Sequence, residues 1–369
     1  MTVPPTQVTT VCATGVALMI GFAAHADAPY PPSERITGIE FDFSSHRRLA
    51  PGSDNWPVTW ADDDRLYTTW GDGGGFGGTN SDGRVSNGFA RVEGSPGAYT
   101  GTNLAGGKGA PKPAPFTGKS YGIVCVDGVL YTWRSGDASG ETAYRFQELW
   151  RSDDHGATWS ATPVRFEPRR FDPPRDRGFF VPTFLQLGKD YSGARDDYVY
   201  TYAPDIKTTR WAMHKPGEIT LLRAARTRLT EPAAYEFFAG IGDDGAPRWT
   251  AEPKQRRPVW RDERSGVMRI SAGLCPGPDR YLLVAEHTRR AQGNIGIYEA
   301  PEPWGPWRTV YFAREWGKGH IEVSSFFWCF CPKWWREGGR KFTLVFTGTG
   351  SNDSWNTLDG RLRVGSEGG

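Results

Sequence analysis

Along most of the chain apolar and polar residues alternate in short runs broken by Gly, Pro, Asn and Asp, and helical spacing is almost absent. One unit returns. It is a short strand, a tight turn rich in Asp or Gly, and a second strand with an aromatic residue near its middle. The unit is read at 56–70 (WPVTWADDDRLYTTW), 121–133 (YGIVCVDGVLYTW), 182–202 (PTFLQLGKDYSGARDDYVYTY), 270–287 (ISAGLCPGPDRYLLVAEH) and 326–347 (FFWCFCPKWWREGGRKFTLVFT). Looser strand pairs follow the copies, as at 148–164, 218–238 and 294–312.

A hairpin plus two further strands per repeat is one propeller blade, and spacings of roughly 50 to 75 residues suit blades with long loops. After the last hairpin only 361–364 (RLRV) remains as an outer strand, one strand short of a blade. Near the N-terminus 36–43 (ITGIEFDF) alternates like a strand but has no hairpin partner nearby. The expected fold is therefore all-β, a five-bladed β-propeller closed by the N-terminal strand of the mature chain. Before that strand, 11–24 (VCATGVALMIGFAA) is apolar or small, too short to span a bilayer, and Ala24-His25-Ala26 offers a cleavage site. Residues 1–26 read as a signal peptide, although Met1 to Thr10 holds no Lys or Arg, and 27–369 as a single secreted or periplasmic domain.

Charge adds little direction. Lys plus Arg is 44 against Asp plus Glu 42, interspersed and without a basic block, which argues against nucleic acid as partner. No later run is long enough for a membrane helix, so no membrane insertion is expected, and the chain is taken as a monomer. The 16 Trp, 14 Tyr and 20 Phe beside 47 Gly and 28 Pro fit short strands with tight loops, and aromatic faces also stack on sugar rings. Outside the leader, Cys125, Cys275, Cys329 and Cys331 sit among apolar neighbours and read as buried thiols. No cofactor and no metal are expected, since Asp82 with Asn80 and Gly83 lacks the spacing of a calcium loop.

In a propeller the starts of the innermost strands and the ends of their hairpin partners meet at one face. Strand starts give Asp54, Lys119, Arg177 and Glu322 with His320; strand exits give Asp72, Arg134, Asp205, His287 and Asn352 with Asp353. Asp54 and Asp72 are equidistant from Asp63 at the hairpin turn and so should oppose one another, with Cβ atoms about 5 Å apart. Two carboxylates that close push their pKa values apart, as a general acid beside a nucleophile or base requires, and a spacing of about 5 to 5.5 Å implies retention of configuration. Asp54 is the expected nucleophile or base. Asp72, on the glycine loop 71–78, is the expected acid, and such a loop lets substrate approach the backbone. Lys119, Arg177, His320, Glu322 and Asn352 are the expected polar substrate contacts, with Trp56, Phe76, Trp316 and Trp355 near enough to the face to stack on sugars.

Two resemblances narrow the chemistry. Ser152-Asp153-Asp154-His155-Gly156-Ala157-Thr158-Trp159 resembles the Asp-box of sialidases and other glycan-handling propellers, which implies a structural hairpin held by its Ser and Asp. Ser53-Asp54-Asn55-Trp56-Pro57, Thr69-Trp70-Gly71-Asp72-Gly73 and Gly350-Ser351-Asn352-Asp353-Ser354-Trp355-Asn356 resemble a group of exported bacterial five-bladed propellers related to the endo-D-arabinanases. That resemblance implies a glycoside hydrolase of arabinofuranoside-like linkages, with Asp54 and Asp72 as its catalytic carboxylates. The long glycine loop and the Trp-Pro after Asp54 depart from the pattern and leave the sugar open. Two other readings stand beside it. One is a polysaccharide lyase drawing on His320, His287, Arg177 and Arg269 against a uronate; the other is a glycan-binding propeller without catalysis.

Overall fold

A computed structural model describes residues 27–136, 144–167, 178–206, 212–348 and 353–365. Among these residues the regular structure is strand and short 3₁₀ turns, with no α-helix. The chain is all-β.

The first hairpin is β2 (Val58–Trp60) with β3 (Leu66–Gly71), extended by β4 (Asn87–Ser95) and β5 (Ala98–Ala105) into a four-stranded antiparallel sheet. β6 (Ile123–Val126), β7 (Val129–Ser135), β8 (Gln147–Ser152) and β9 (Ser160–Phe166) repeat that order. A third run comprises β11 (Thr183–Gln186), β12 (Tyr198–Ile206), β13 (Gly217–Ala225), β14 (Tyr235–Ile241) and β15 (Pro247–Thr250), with β10 (Gly178–Phe179) and β16 (Trp260–Asp262) added alongside. A fourth comprises β17 (Ile270–Cys275), β18 (Arg280–Glu286), β19 (Ile295–Ala300) and β20 (Arg308–Ala313). A short parallel pairing of β11 with β17, Leu185 opposite Ala272, joins these two runs into one sheet. The last sheet holds β21 (Ser325–Phe330), β22 (Lys341–Gly348) and β23 (Trp355–Val364), and its outer place is taken by β1 (Ile36–Leu49).

All five hairpins read from the sequence are antiparallel pairs. β1 pairs antiparallel with β23, with Ile39 opposite Leu362 and Leu49 opposite Trp355. The third strand of that sheet is longer than its sequence signal, since β23 begins at Trp355 rather than at the charged alternation near residue 361. Inner strands are buried on both faces, as the unbroken burial of β3, β6 and β21 shows, whereas outer β5 alternates between buried and exposed. Successive inner strands β2, β6, β11, β17 and β21 pack against one another. Cys125, Cys275, Cys329 and Cys331 are free buried thiols.

The turn between β8 and β9 shows how a short polar sequence fixes a hairpin. Ser152 Oγ donates to Asp154 Oδ1 (2.8 Å) and accepts from Gly156 N (2.8 Å), while Asp154 accepts from the Thr158 amide and hydroxyl (2.8 and 2.6 Å). These bonds outweigh burial and hold the Asp154 carboxyl below the ordinary carboxylate range.

Candidate active site

Asp54 lies just before β2, Asp72 just after β3, Lys119 before β6, Arg269 before β17, Glu286 at the end of β18 and Asp353 before β23. All six stand at the same ends of the inner hairpins.

The register at the first hairpin differs from simple counting. Val58 pairs with Thr68, but Asp54 pairs with Gly71, its amide donating to Gly71 O (2.8 Å) and its carbonyl accepting from Gly71 N (2.6 Å). Three residues, Asn55 to Pro57, therefore face two, Thr69 and Trp70. Pro57 has no amide to offer a ladder and Asn55 takes a left-handed φ of 57°, so this stretch absorbs one extra residue as a bulge. Asp54 and Asp72 are not directly opposed, and the expected 5 Å pairing, with the retention inferred from it, loses its basis.

The carboxyls are gathered by other means. A Cβ on Gly71 would sit 2.9 Å from Asp54 Oδ1 and 3.0 Å from Lys119 Nζ, so both groups crowd over the bare Cα. Lys119, almost fully buried, places Nζ 2.7 Å from Asp72 Oδ1, and Arg84 Nη2 reaches the same oxygen at 3.2 Å. Asp72 is an anion held by two cations. Asp54 keeps a partly exposed edge, but its Oδ1 is buried with no hydrogen-bond partner among the described residues. Burial pushes its carboxyl up to about 6; Lys119 opposes that, the Asp72 charge adds to it, and Arg269 and Asn55 oppose it.

Asp353 is the group the sequence placed at the mouth without giving it a role. Its Oδ1 is likewise buried and without a hydrogen-bond partner among the described residues, and its carboxyl is pushed up to about 7 by burial and then by the charges of Asp54 and Asp72, against Arg269 and Lys119. Arg269 sits behind this group, donating to Glu286 Oε2 (2.6 Å) with its guanidinium 3.9 Å over the Phe326 ring. Tyr121 and Tyr144 are buried close enough to Asp54 for its charge to help burial raise their hydroxyls. Arg84, Glu286 and Tyr144 carried no sequence signal, because each reaches the site through folding of a loop or a distant strand end, and Tyr121, at the start of the second hairpin, was read as a strand residue only.

The glycine loop is clasped. Asn103 Nδ2 donates to the carbonyls of Gly74 (3.1 Å), Phe76 (3.0 Å) and Lys108 (2.9 Å), its Oδ1 accepts from Phe76 N (3.0 Å), and Ser53 Oγ accepts from Gly75 N (2.9 Å). Gly73 has φ 72° and a Cβ there would overlap the Gly52 carbonyl, so this glycine serves close packing of backbone on backbone. Asp82 is ion-paired with Lys108 Nζ (2.6 Å).

The aromatic expectations fail on burial. Trp56 stacks on Trp70 (centroids 5.4 Å apart) and meets Phe76 (5.3 Å) and Trp355 (5.4 Å); Trp56, Trp355 and Trp316 are buried and Phe76 nearly so. The faces of Trp56, Phe76 and Trp355 are spent on one another, and Trp316 packs on Phe41 (5.3 Å) and Phe43 (5.5 Å) of β1, leaving none for a sugar. His320 and Glu322 lie exposed in the turn before β21, and His320 stacks on Phe43 of the outer strand β1 (4.7 Å, 8°) rather than over the inner strands. Arg177 and Asn352 lie outside the described residues.

Of the groups a lyase would draw on, Arg269 stands among the aspartates, whereas His320 stacks on Phe43 away from them. His287 is fully buried, with Nδ1 at 2.8 Å from Thr288 Oγ1 and Nε2 at 3.1 Å from the Ala313 carbonyl, and burial lowers it to about 4. Among the described residues one group could converge on a metal ion, Asp62, Asp63 and His155, within 4.8 Å. It lies on turns at the opposite strand ends, where Asp63 already accepts from Tyr67 and Arg65 and His155 meets Asp62 (2.8 Å).

Residues 124–318 match the family described as a domain of unknown function, DUF4185, which takes in more than half of the sequence. The chain belongs to that family. The DUF4185 match covers Arg269 and Glu286 but stops short of Asp54, Asp72 and Asp353 on either side. No curated protein matches the chain. Among solved structures it is similar to a thermostable family-43 glycoside hydrolase, at 14% identity over 86% of this chain and 95% of that one, with a TM-score of 0.46. It is also similar to a protein of unknown function from Dyadobacter fermentans, at 9% identity over 89% and 100%, TM-score 0.49. A family 117 glycoside hydrolase of the marine bacterium Zobellia galactanivorans matches at 11% identity over 89% and 88%, TM-score 0.44. At these identities and TM-scores none of the three lends its activity to this DUF4185 protein.

Proposed function

We propose that this DUF4185 protein is a secreted or periplasmic glycoside hydrolase that cleaves a polysaccharide, arabinofuranoside-like linkages foremost, at the cluster Asp54, Asp72 and Asp353. The five antiparallel runs are read as blades of one propeller, β1 supplying the last outer strand and the cluster lying at the mouth. The observation that carries the reading is one anion held by Lys119 and Arg84 beside two carboxyls that hold protons into the range of about 6 to 7. Acid and anion side by side are what glycosidic cleavage requires.

The electrostatics favour the reverse of the roles expected from sequence. Asp72 carries the charge that meets positive character at the anomeric carbon or on an attacking water. Asp54 or Asp353 gives its proton to the departing oxygen. Because the Asp54 charge acts on Asp353, these two titrate as a pair, and activity should fall as pH rises through about 6 to 7.

The test is a reducing-end screen over arabinans, arabinogalactan, other plant and mycobacterial glycans and uronate polymers, comparing wild type with Asp54→Asn, Asp72→Asn and Asp353→Asn. On the best substrate each variant should lose about 100-fold or more, the ordinary worth of a positioned acid or base. Variants equal to wild type would remove the cluster from the chemistry. Saturable binding with no new reducing ends from any polysaccharide would favour the non-catalytic glycan binder.

A further inference from the structure

A cavity opens at the opposite ends of the strands, between the third and fourth runs. It holds about 260 Å³ between the β11–β12 turn, the start of β18 and the β19–β20 turn. One water needs only about 10–15 Å³ by the same measure. The mouth aspartates lie at the opposite ends of these hairpins.

Its walls are mixed in a particular way. Trp304 is half-exposed and braced edge-on by Trp249 (6.1 Å, 81°), and the loop that carries it is pinned by the Tyr202 hydroxyl donating to Pro303 O (2.7 Å). Tyr281 is only 3% exposed, yet its hydroxyl at the cavity has no hydrogen-bond partner among the described residues. Arg195 lies 4.8 Å over the Tyr281 ring and is itself fixed by Asp279 and by the Pro301 carbonyl (3.4 Å). Asp196 accepts from the Tyr200 hydroxyl (2.6 Å). Glu302 is exposed at the rim, and its carboxylate makes no ion pair among the described residues.

We propose that this cavity is a second saccharide-binding site, holding one sugar unit of a glycan with Trp304 against its C–H face and Tyr281 and Glu302 on its hydroxyls. The proposal rests on the glycan reading above for the identity of the polymer, but not on cleavage. A sugar ring presents an apolar face and a rim of hydroxyls that both donate and accept, and one flat aromatic, one phenol donor and one free carboxylate acceptor match that set. Arg195 beside the carboxylates opposes an inorganic cation. Asp196 and Glu302 oppose an anion. Burial pushes the Tyr281 hydroxyl up to about 12, so it remains a donor throughout the working range.

The experiment is native electrophoresis through gels containing arabinan, arabinogalactan or a uronate polymer, with Asp72→Asn as the parent so that cleavage does not erode the matrix. At least one glycan should retard the parent. Trp304→Ala on that background should reduce the retardation to the part the mouth alone supplies, and Glu302→Gln, at an exposed position whose carboxylate makes no ion pair among the described residues, should weaken it several-fold. Retardation unchanged in both double variants, or no retardation of the parent by any glycan, overturns the proposal. If wild type releases no reducing ends from any polymer but the Trp304→Ala and Glu302→Gln losses appear, the second site stands and the hydrolase reading falls.

Discussion

Burial and charge act on each carboxyl of the mouth separately, and Asp54 gives the sharpest consequence. Its proton is held to about 6 in the folded chain and only to about 4 in the unfolded one. As pH rises from about 4 to 6 the unfolded chain gives up that proton first, so the folded state loses stability there, on the order of 2 kcal/mol by the top of the window. Asp54→Asn removes the penalty. Its melting temperature should match wild type near pH 4, draw ahead between pH 4 and 6, and stay ahead above; a difference that does not change with pH would mean Asp54 is ordinarily ionised. At this scale Asp54, Asp72 and Lys119 were legible because each stands within a residue or two of a strand end that the pattern marks. Asp353 was placed but not recognised, since its neighbours come from the first hairpin, some 300 residues away in sequence. Trp56, Phe76 and Trp355 were misread because alternation tells which side of a strand a residue faces, not whether another layer covers that side.

Hairpin geometry decides how the carboxyls meet. Counting from the turn gives the right partners for β2 and β3 and then fails at Asn55 to Pro57, where a bulge takes up one residue. Trp-Pro after Asp54 was the local sign, a residue without an amide inside an inner strand. The bulge puts Gly71 opposite Asp54, and the missing side chain leaves room for Asp54 Oδ1 and Lys119 Nζ. Gly71→Ala should thus force the two apart. We expect more than tenfold loss of kcat, with the melting temperature within a few degrees of wild type, because the change displaces side-chain ends rather than the ladder; an unaltered rate would show that the crowding over Gly71 has no part in the chemistry. The glycine loop 71–78 was read as open to substrate from its glycines alone, and the clasp by Asn103 lay 25 or more residues beyond any local signal.

The whole molecule repeats one short pattern, and that repetition made the five hairpins and the pairing partner of β1 readable. Additions that break the repeat, such as β10, β15 and β16, were not readable, because strands this short, standing outside the recurring hairpin, take their register from neighbours rather than from their own alternation. The repeat also explains why residues distant in sequence share one mouth: every inner hairpin delivers its strand start and its partner's exit to the same end. Whether that end breaks a glycosidic bond with water is read most directly from digestion of the best substrate in heavy-oxygen water, with the products weighed for wild type and Asp72→Asn. The account predicts one heavy oxygen at each new reducing end for wild type and almost no product for the variant. Unsaturated products without the label, or equal labelling by Asp72→Asn, would contradict it.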